Sequence, residues 1–207
     1  MLLIVLGKPN RNRIDERRSE TRREIIEAAW QTAREKGLAQ VTLRDVADLV
    51  GMRPPSLYTH FASKNAIYDA MFADAWATFL AHSEAAEPGE PATSRAAMRY
   101  YARVFFDFAV AFPARHQLMN LRTLPDFTPS AEAYAPSVAV MTAFVARMAR
   151  HGVTAQDDID LFVAVVSGMV DAQLANDPGG RRWSRLLDRA IDMFADNVGI
   201  TSERTRP

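Results

Sequence analysis

Cysteine is absent from this 207-residue chain. That excludes disulfides and thiolate-held zinc, and it suits a reducing, cytoplasmic setting. Long apolar runs are missing too, so no stretch is long enough to span a bilayer. Residues 1–6 are apolar, but they lack the basic start and the longer apolar core of a signal peptide. They read as a disordered or loosely packed leader, or as an artefact of start-codon choice. Period-two apolar alternation is nearly absent, which argues against strands. There is no internal repeat and no low-complexity tract. HExxH, a Gly-rich phosphate loop and GxSxG are all missing. None of the four histidines, His60, His82, His116 and His151, has a second histidine at metal-ligand spacing. His116 and Asp107 can be imagined as an acid–base pair, but an ordinary surface or core pair outweighs that reading. No catalytic residue, cofactor or metal is expected.

Net charge is also nil, with 25 Lys+Arg against 25 Asp+Glu, but it is unevenly spread. Residues 1–64 carry 12 basic against 8 acidic side chains; residues 65–207 carry 13 against 17. A basic front end on a neutral chain fits contact with a polyanion at that end alone, or plain charge scatter. Hydrophobic residues make up 48%, enough for a globular core.

Helical periodicity runs almost throughout. Ser19 is a candidate cap for a first helix to about residue 36, with Ile25, Ile26, Ala29, Trp30 and Ala33 inward and Gly37 as its stop. Thr42 caps a second over 43–50, stopped by Gly51, and Ser63 caps a long third, Lys64–Ala85. The segment 87–91, EPGEP, breaks the chain. Further helices are expected over 92–112, 114–122, 130–151 (with Pro136 in its second turn), 154–175 with Thr154 as cap, and 181–198. With the short segment after Gly51 this gives an all-α chain of about nine helices.

That short segment, GMRPPSLYTHF at 51–61, carries the chemistry. On a helical wheel Pro54, Leu57 and Phe61 share one edge; Pro55, Ser56 and Thr59 lie opposite; Tyr58 and His60 flank them. Prolines cost little in a first turn, where N–H groups have no helical acceptor. A helix stopped at Gly51, a three-residue turn and a new helix make helix-turn-helix spacing. The second helix of such a pair enters the major groove N-terminal end first. Its small outward residues can approach base edges, while Tyr58 and His60 reach phosphates. Thr42 and Lys64 stand at helix starts, which favour phosphate, and Arg44 can bond guanine in two-pronged fashion.

The stretch 21–72, with its Thr42–Leu43–Arg44–Asp45–Val46–Ala47, Gly51, Ser56–Leu57–Tyr58, His60–Phe61 and Ser63–Lys64, resembles the N-terminal domain of the TetR (tetracycline repressor) family. The resemblance implies a three-helix DNA-binding domain, a homodimer, and a larger helical domain that responds to a small molecule. It places Thr42, Tyr58, His60 and Lys64 at phosphates and Arg44, Pro55, Ser56 and Thr59 at bases; Arg53 completes the DNA-binding set. Thr32 departs from the usual aromatic or aliphatic residue, with Trp30 as a candidate to fill the gap, and Arg53–Pro54–Pro55 is a proline-rich form of the turn. The expected organisation is a flexible basic leader over 1–18, the DNA-binding domain over 19–64, an effector-binding and dimerisation domain over 65–198 with Lys64–Ala85 as connector, and a tail over 199–207.

The second half is read from its apolar faces. Residues 159–170 are apolar nearly all round, and Gly168 and Ala172 allow close helix approach. The last helix has two stripes, Trp183–Leu187–Ile191–Phe194–Val198 and Leu186–Ala190–Met193. One serves the core and the other a partner in a two-fold four-helix interface; the expected interface residues are Phe162, Val166, Met169, Val170, Trp183, Leu187, Ile191 and Phe194. The resemblance also implies an apolar cavity, for which Tyr101, Phe105, Phe108, Met119, Phe144, Met148 and Phe162 are the candidates. Tyr101, Arg103, Asp107, His116, Asn120 and Asp171 are the polar groups near it. The expected function is a sequence-specific DNA-binding regulator with no enzymatic activity: a dimeric repressor released from a palindromic operator by a hydrophobic small molecule. A ligand-independent or activating regulator, an architectural DNA-binding protein and a helical enzyme are the alternatives.

Overall fold

Nine α-helices and two 3-10 turns, with no strand, make up the described residues. The structure is a computed structural model that describes residues 10–86, 91 and 93–200. The leader over 1–6, most of the 87–91 break and the end of the tail lie outside the described residues. No described helix is long and apolar enough to cross a membrane. The chain divides into two units, one within Met1–Met71 and Arg122–Pro129, the other within Phe72–Leu121 and Ser130–Pro207. The division falls inside the long helix after Ser63, and not at the 64/65 boundary read from the sequence.

In the first unit, α1 spans Asn10–Lys36. It starts nine residues before the expected Ser19 cap, so residues 10–18 are helical and not leader. Its buried face is Ile25, Ala29, Trp30 and Ala33. Thr32 is buried as well, and its hydroxyl donates to the Ala28 carbonyl at 2.9 Å, which satisfies the one polar group that this departure introduces. A 3-10 turn, Leu38–Gln40, leads to α2, Leu43–Leu49. Thr42 caps α2 as expected, its Oγ1 accepting from the Asp45 N–H at 3.1 Å. At the other end Gly51 takes φ 67°. The Met52 N–H reaches the Ala47 carbonyl at 2.9 Å and the Gly51 N–H reaches Asp48 at 3.3 Å. This paired closure needs a left-handed residue, which glycine supplies at least cost.

The next helix, α3, is Pro54–Leu57, and α4 is Lys64–Ala85. Ser63 caps α4, accepting from the Ala66 N–H at 3.1 Å. Val46, Ala47, Leu57, Phe61, Ile67 and Met71 are buried, with α2 packed against both α1 and α3. Tyr68 donates its hydroxyl to the Leu38 carbonyl at 2.9 Å and meets the Phe127 ring at 5.7 Å. Asn65 donates to the Asp126 carbonyl at 3.0 Å, which ties the 122–129 segment into this unit.

The second unit holds α5 (Ser94–Ala111), α6 (Pro113–Asn120), α7 (Ala131–Arg150), α8 (Gln156–Asn176) and α9 (Leu187–Asn197). Thr93 caps α5, so the helix starts later than expected. Pro136 lies inside α7, which begins before it at Ala131 with Ser130 as cap. Thr154 caps nothing: α8 starts at Gln156 after Ala155, with no side-chain cap. The last helix begins at Leu187 and not near 181, because a 3-10 turn, Ser184–Leu186, comes first. Fully buried Gln173 of α8 explains that turn, since its Oε1 accepts from the Trp183 and Ser184 N–H groups at 3.0 and 3.2 Å.

The expected dimer residues Phe162, Val166, Val170, Leu187, Ile191 and Phe194 are buried in the protomer's own core, with Met98, Ala102, Phe106 and Met148. Met169 and Trp183 are half-buried. These six side chains are thus enclosed by their own chain and expose almost no surface. Of the two α9 stripes, the first packs inward. The second stays out: Met193 is 65% exposed and Leu186 is also exposed, as is Leu161 on α8.

Candidate nucleic-acid interface and apolar cavity

The segment after Gly51 is built on its prolines. Arg53 holds an extended backbone, and Pro54 and Pro55 follow as the first helical residues. Neither has an N–H to leave orphaned. The α-helix itself is a single turn, shorter than the sequence predicts. Beyond Leu57 the N–H groups of Tyr58, Thr59 and His60 reach back three residues, to Pro55, Ser56 and Leu57, in tight 3-10 style. Only the Phe61 N–H reaches back four, to Leu57 at 2.8 Å. The winding therefore continues to Phe61.

Leu57 and Phe61 are buried and anchor this segment. Pro55, Ser56 and Thr59 are exposed, and Tyr58 is 56% exposed. Pro54 and His60 are half-buried, between the two faces. Thr59 spends its own proton on the Ser56 carbonyl at 2.7 Å, which leaves its oxygen only the role of acceptor. The Nδ1 of His60 is buried with no hydrogen-bond partner among the described residues.

Arg18 and Arg22 of α1, which the sequence reading missed, brace the end of this segment. Arg22 donates to the His60 carbonyl, and its guanidinium lies 4.1 Å from the Phe61 ring centroid. Arg18 reaches the Thr59 carbonyl at 3.5 Å. These carbonyls end a short helix and lack helical donors. The signal was two arginines at i, i+4 spacing just before the apolar stripe of α1.

On α2, Arg44 is 85% exposed, and its nearest carboxylate oxygen, on Asp48, is 4.0 Å away. At that distance the guanidinium remains available to an incoming anion. Asp45 is engaged instead: Lys36 donates to it at 2.7 Å and the Thr42 hydroxyl donates to it at 2.7 Å. The Lys36 bond, followed by the Thr42 bond, holds the Asp45 carboxyl below its ordinary pKa. Its negative charge is thus neutralised where a polyanion would otherwise be repelled. Lys64 sits at the start of α4 with its Nζ 5.2 Å from the Tyr68 ring centroid. Arg53 is exposed at the head of α3. The predicted residues thus share the α2–α3 region of one unit and the start of α4.

The second unit contains a cavity of about 130 Å³. Of the candidates read from the sequence, Tyr101, Phe105, Phe144 and Phe162 line this cavity. Phe108, Met119 and Met148 do not. Phe108 packs against Phe79 and Phe112, with centroids at 5.1 and 5.2 Å, and Met148 is buried in the core. Trp76 and Phe79 of α4, Tyr100 of α5 and Arg147 of α7 complete much of the wall and were missed. They lie in helices whose apolar residues read equally well as core.

Of the polar candidates, Tyr101 and Asn120 line the cavity. Arg103 pairs with Asp188 at 2.9 Å. Burial pushes the Asp107 carboxyl up, against the nearby charge of Arg103. His116 is buried, and its partner is Asp171 at 2.9 Å, not Asp107. Its other nitrogen lies 3.2 Å from Asn120 Nδ2. Among the described residues no group of three or more His, Asp and Glu could hold a metal ion.

Comparison with known proteins places the first unit. The sequence model for "Bacterial regulatory proteins, tetR family" matches residues 25–71. The HTH-type transcriptional regulator TtgR of Pseudomonas putida is 39% identical over 59 residues, which is 28% of this chain and 28% of TtgR. The match thus spans little more than a quarter of that relative. Similar folds include a protein of unknown function from Rhodococcus sp. RHA1, with TM-score 0.73 and 20% identity over 85% of this chain and 94% of that one. The multidrug binding protein EbrR, solved with imidazole, has TM-score 0.62 and 21% identity over 97% of this chain and 100% of its own.

Proposed function

This chain belongs to the tetR family of bacterial regulatory proteins, and on that premise we propose that it is a dimeric, sequence-specific repressor. A hydrophobic small molecule releases it from a palindromic operator. One observation supports the DNA reading most. Leu57 and Phe61 fasten a proline-headed turn so that Pro55, Ser56 and Thr59 face outward, with exposed Arg44 and Tyr58 beside them. Small outward groups suit close approach to base edges, and the flanking polar groups suit phosphate.

Dimerisation uses the outer faces of α8 and α9. Leu161 of α8, Met193 of α9 and Leu186 of the 3-10 turn before α9 are exposed apolar residues, and a side chain built on Gly168 would meet nothing within 4 Å. A palindrome demands two recognition segments about 34–36 Å apart, which a two-fold dimer provides. The cavity supplies the switch. Its wall includes Trp76 and Phe79 of α4, the same helix whose first turns carry Lys64, Ile67 and Tyr68. A ligand that fits better with α4 displaced favours a spacing that misses successive grooves. Only that difference in affinity drives release.

Selection from a pool of random duplexes tests this reading. A two-fold motif should be enriched, and its retention should fall when the effector is added. A pool that returns no motif, with or without candidate small molecules, defeats it.

A further inference from the structure

The outward face of α8 has unlike ends. Asp157, Leu161, Ala164, Gly168 and Ala175 recur along it at helical spacing, and all five are exposed. Its first end is acidic. Asp157, Asp158 and Asp160 fall in the opening turns of the helix. Asp160 accepts from Gln156 at 2.8 Å, and no ion pair engages any of the three among the described residues. A helix start favours carboxylates in any case, so this end by itself marks nothing.

The other end is basic. Arg181, Arg182 and Arg185 are exposed just beyond α8, and Arg189 follows on α9. Buried Gln173 holds this stretch beside the last turns of α8 through the Trp183 and Ser184 N–H groups. The Arg185 N–H donates to the Arg181 carbonyl at 3.3 Å, which puts both arginines on one turn. The carboxylates near them in sequence are committed: Asp188 to Arg103, Asp192 to Arg99, and Asp177 to the Arg182 N–H at 2.8 Å. Arg181, Arg185 and Arg189 thus have no carboxylate partner among the described residues. With 21 residues in α8, about 30 Å separate the acidic end from the basic one. Within one chain they cannot meet.

We propose that a second copy of this chain docks antiparallel on this face, in a register fixed by Asp157 of each copy against Arg185 of the partner subunit. In a two-fold pair every contact occurs twice, with the copies exchanging roles. An axis across Ala164 and Gly168 sets α8 antiparallel to its copy. Asp157 and Ala175 stand equally far from the midpoint of those two residues, so each Asp157 comes level with the far end of the other α8, where Arg181 and Arg185 stand. The opposite alignment sets aspartate against aspartate and arginine against arginine. Leu161, Leu186 and Met193 supply exposed apolar surface for the contact, and the charges choose its direction. This deepens the dimer reading above and rests on it.

Sedimentation equilibrium of the full-length protein without DNA tests the register. Asp157→Arg and Arg185→Asp each change an exposed side chain and place like charges together twice in the pair. Each should weaken self-association about tenfold or more. Mixed in equal amounts, the two variants should form a one-to-one heterodimer, because both contacts then join opposite charges. A double-mutant cycle with the milder Asp157→Asn and Arg185→Gln guards against a folding defect: the two changes together should weaken the dimer no more than either alone. Single variants that sediment as wild-type dimers, a mixture without heterodimer, or additive losses in the cycle overturn the register and leave the dimer reading standing. A wild-type protein that sediments as a monomer defeats both.

Discussion

Arg99 of α5 and Asp192 of α9 meet in a two-pronged pair, with Nε donating to Oδ1 at 2.7 Å and Nη2 to Oδ2 at 2.5 Å. One helical turn to either side the pattern repeats. Arg95 donates to Asp196 and to the Asp192 and Ile200 carbonyls; Arg103 donates to Asp188 at 2.9 Å and to the Ser184 carbonyl at 3.1 Å. Three arginines at i, i+4 spacing thus face three aspartates at the same spacing. Planar, parallel geometry makes such pairs stronger than single contacts, although exposure of Arg99 reduces the gain. In a double-mutant cycle, Arg99→Ala and Asp192→Ala should couple by about 1 kcal/mol, measured by denaturant unfolding.

Anchor and contact residues of the 54–61 segment should separate cleanly. Leu57 is 1% exposed, and Leu57→Ala should cost about 2–5 kcal/mol of stability, with DNA binding lost as a consequence. Tyr58→Ala and Arg44→Ala remove exposed groups and should leave the unfolding free energy within about 0.5 kcal/mol of wild type. Each should nevertheless weaken operator binding by about 1–3 kcal/mol, read by fluorescence anisotropy at one fixed salt concentration. Wild-type footprints from both exposed-residue variants would remove them from the interface.

Gly51 offers a backbone test. A Cβ at this position would meet nothing within 4 Å, so the space is open, and only the positive φ resists a side chain. Gly51→Ala should therefore destabilise by about 1–2 kcal/mol, and Gly51→Asn by less, because asparagine tolerates the left-handed region better. Equal stability of all three proteins in thermal unfolding would show that the closure of α2 relaxes without cost.

The features that were legible in the chain are local ones. Thr42, Ser63 and Gly51 announce their helix ends because a cap or stop acts within three or four residues. The 54–61 segment was legible in its faces for the same reason. Its α-helical length was overestimated, since the turn tightens after Leu57. What stayed hidden depends on distant partners. Residues 10–18 continue α1 without an apolar stripe or a cap to signal it. The late start of α9 is set by Gln173, ten residues before Trp183. Both stripes of the last helix are apolar, and packing within the unit turns the larger one, with Leu187, Ile191 and Phe194, inward. The missed cavity residues Trp76 and Phe79 have the same ambiguity, because a wall and a core use the same side chains.

That choice of stripe makes adjacent residues of α9 behave oppositely. Met193 is 65% exposed and Phe194 only 3%. Met193→Glu should convert a dimer to a monomer in sedimentation while leaving helicity and unfolding cooperativity in place. Phe194→Glu buries an unpaired charge in the protomer core and should unfold that unit outright. A Met193→Glu protein that sediments like wild type would place the two-fold contact elsewhere.

Acid should act on the first unit through Asp45. Lys36, and next Thr42, hold its carboxyl below the ordinary aspartate value of about 3.9. A carboxyl depressed by folding stabilises the fold above the unfolded-state value and loses that contribution as pH falls through the folded-state value. Asp45→Asn keeps an acceptor for the Thr42 hydroxyl and removes the charge that Lys36 faces. The melting temperatures of wild type and Asp45→Asn should then differ by a constant amount between about pH 5 and 7 and converge below about pH 4, as the wild-type carboxylate is protonated. High salt should narrow the gap at neutral pH, because the Lys36–Asp45 pair is partly exposed to solvent. A gap that stays constant down to pH 3 would mean that the Thr42 cap alone, without the Lys36 charge, fixes the start of α2.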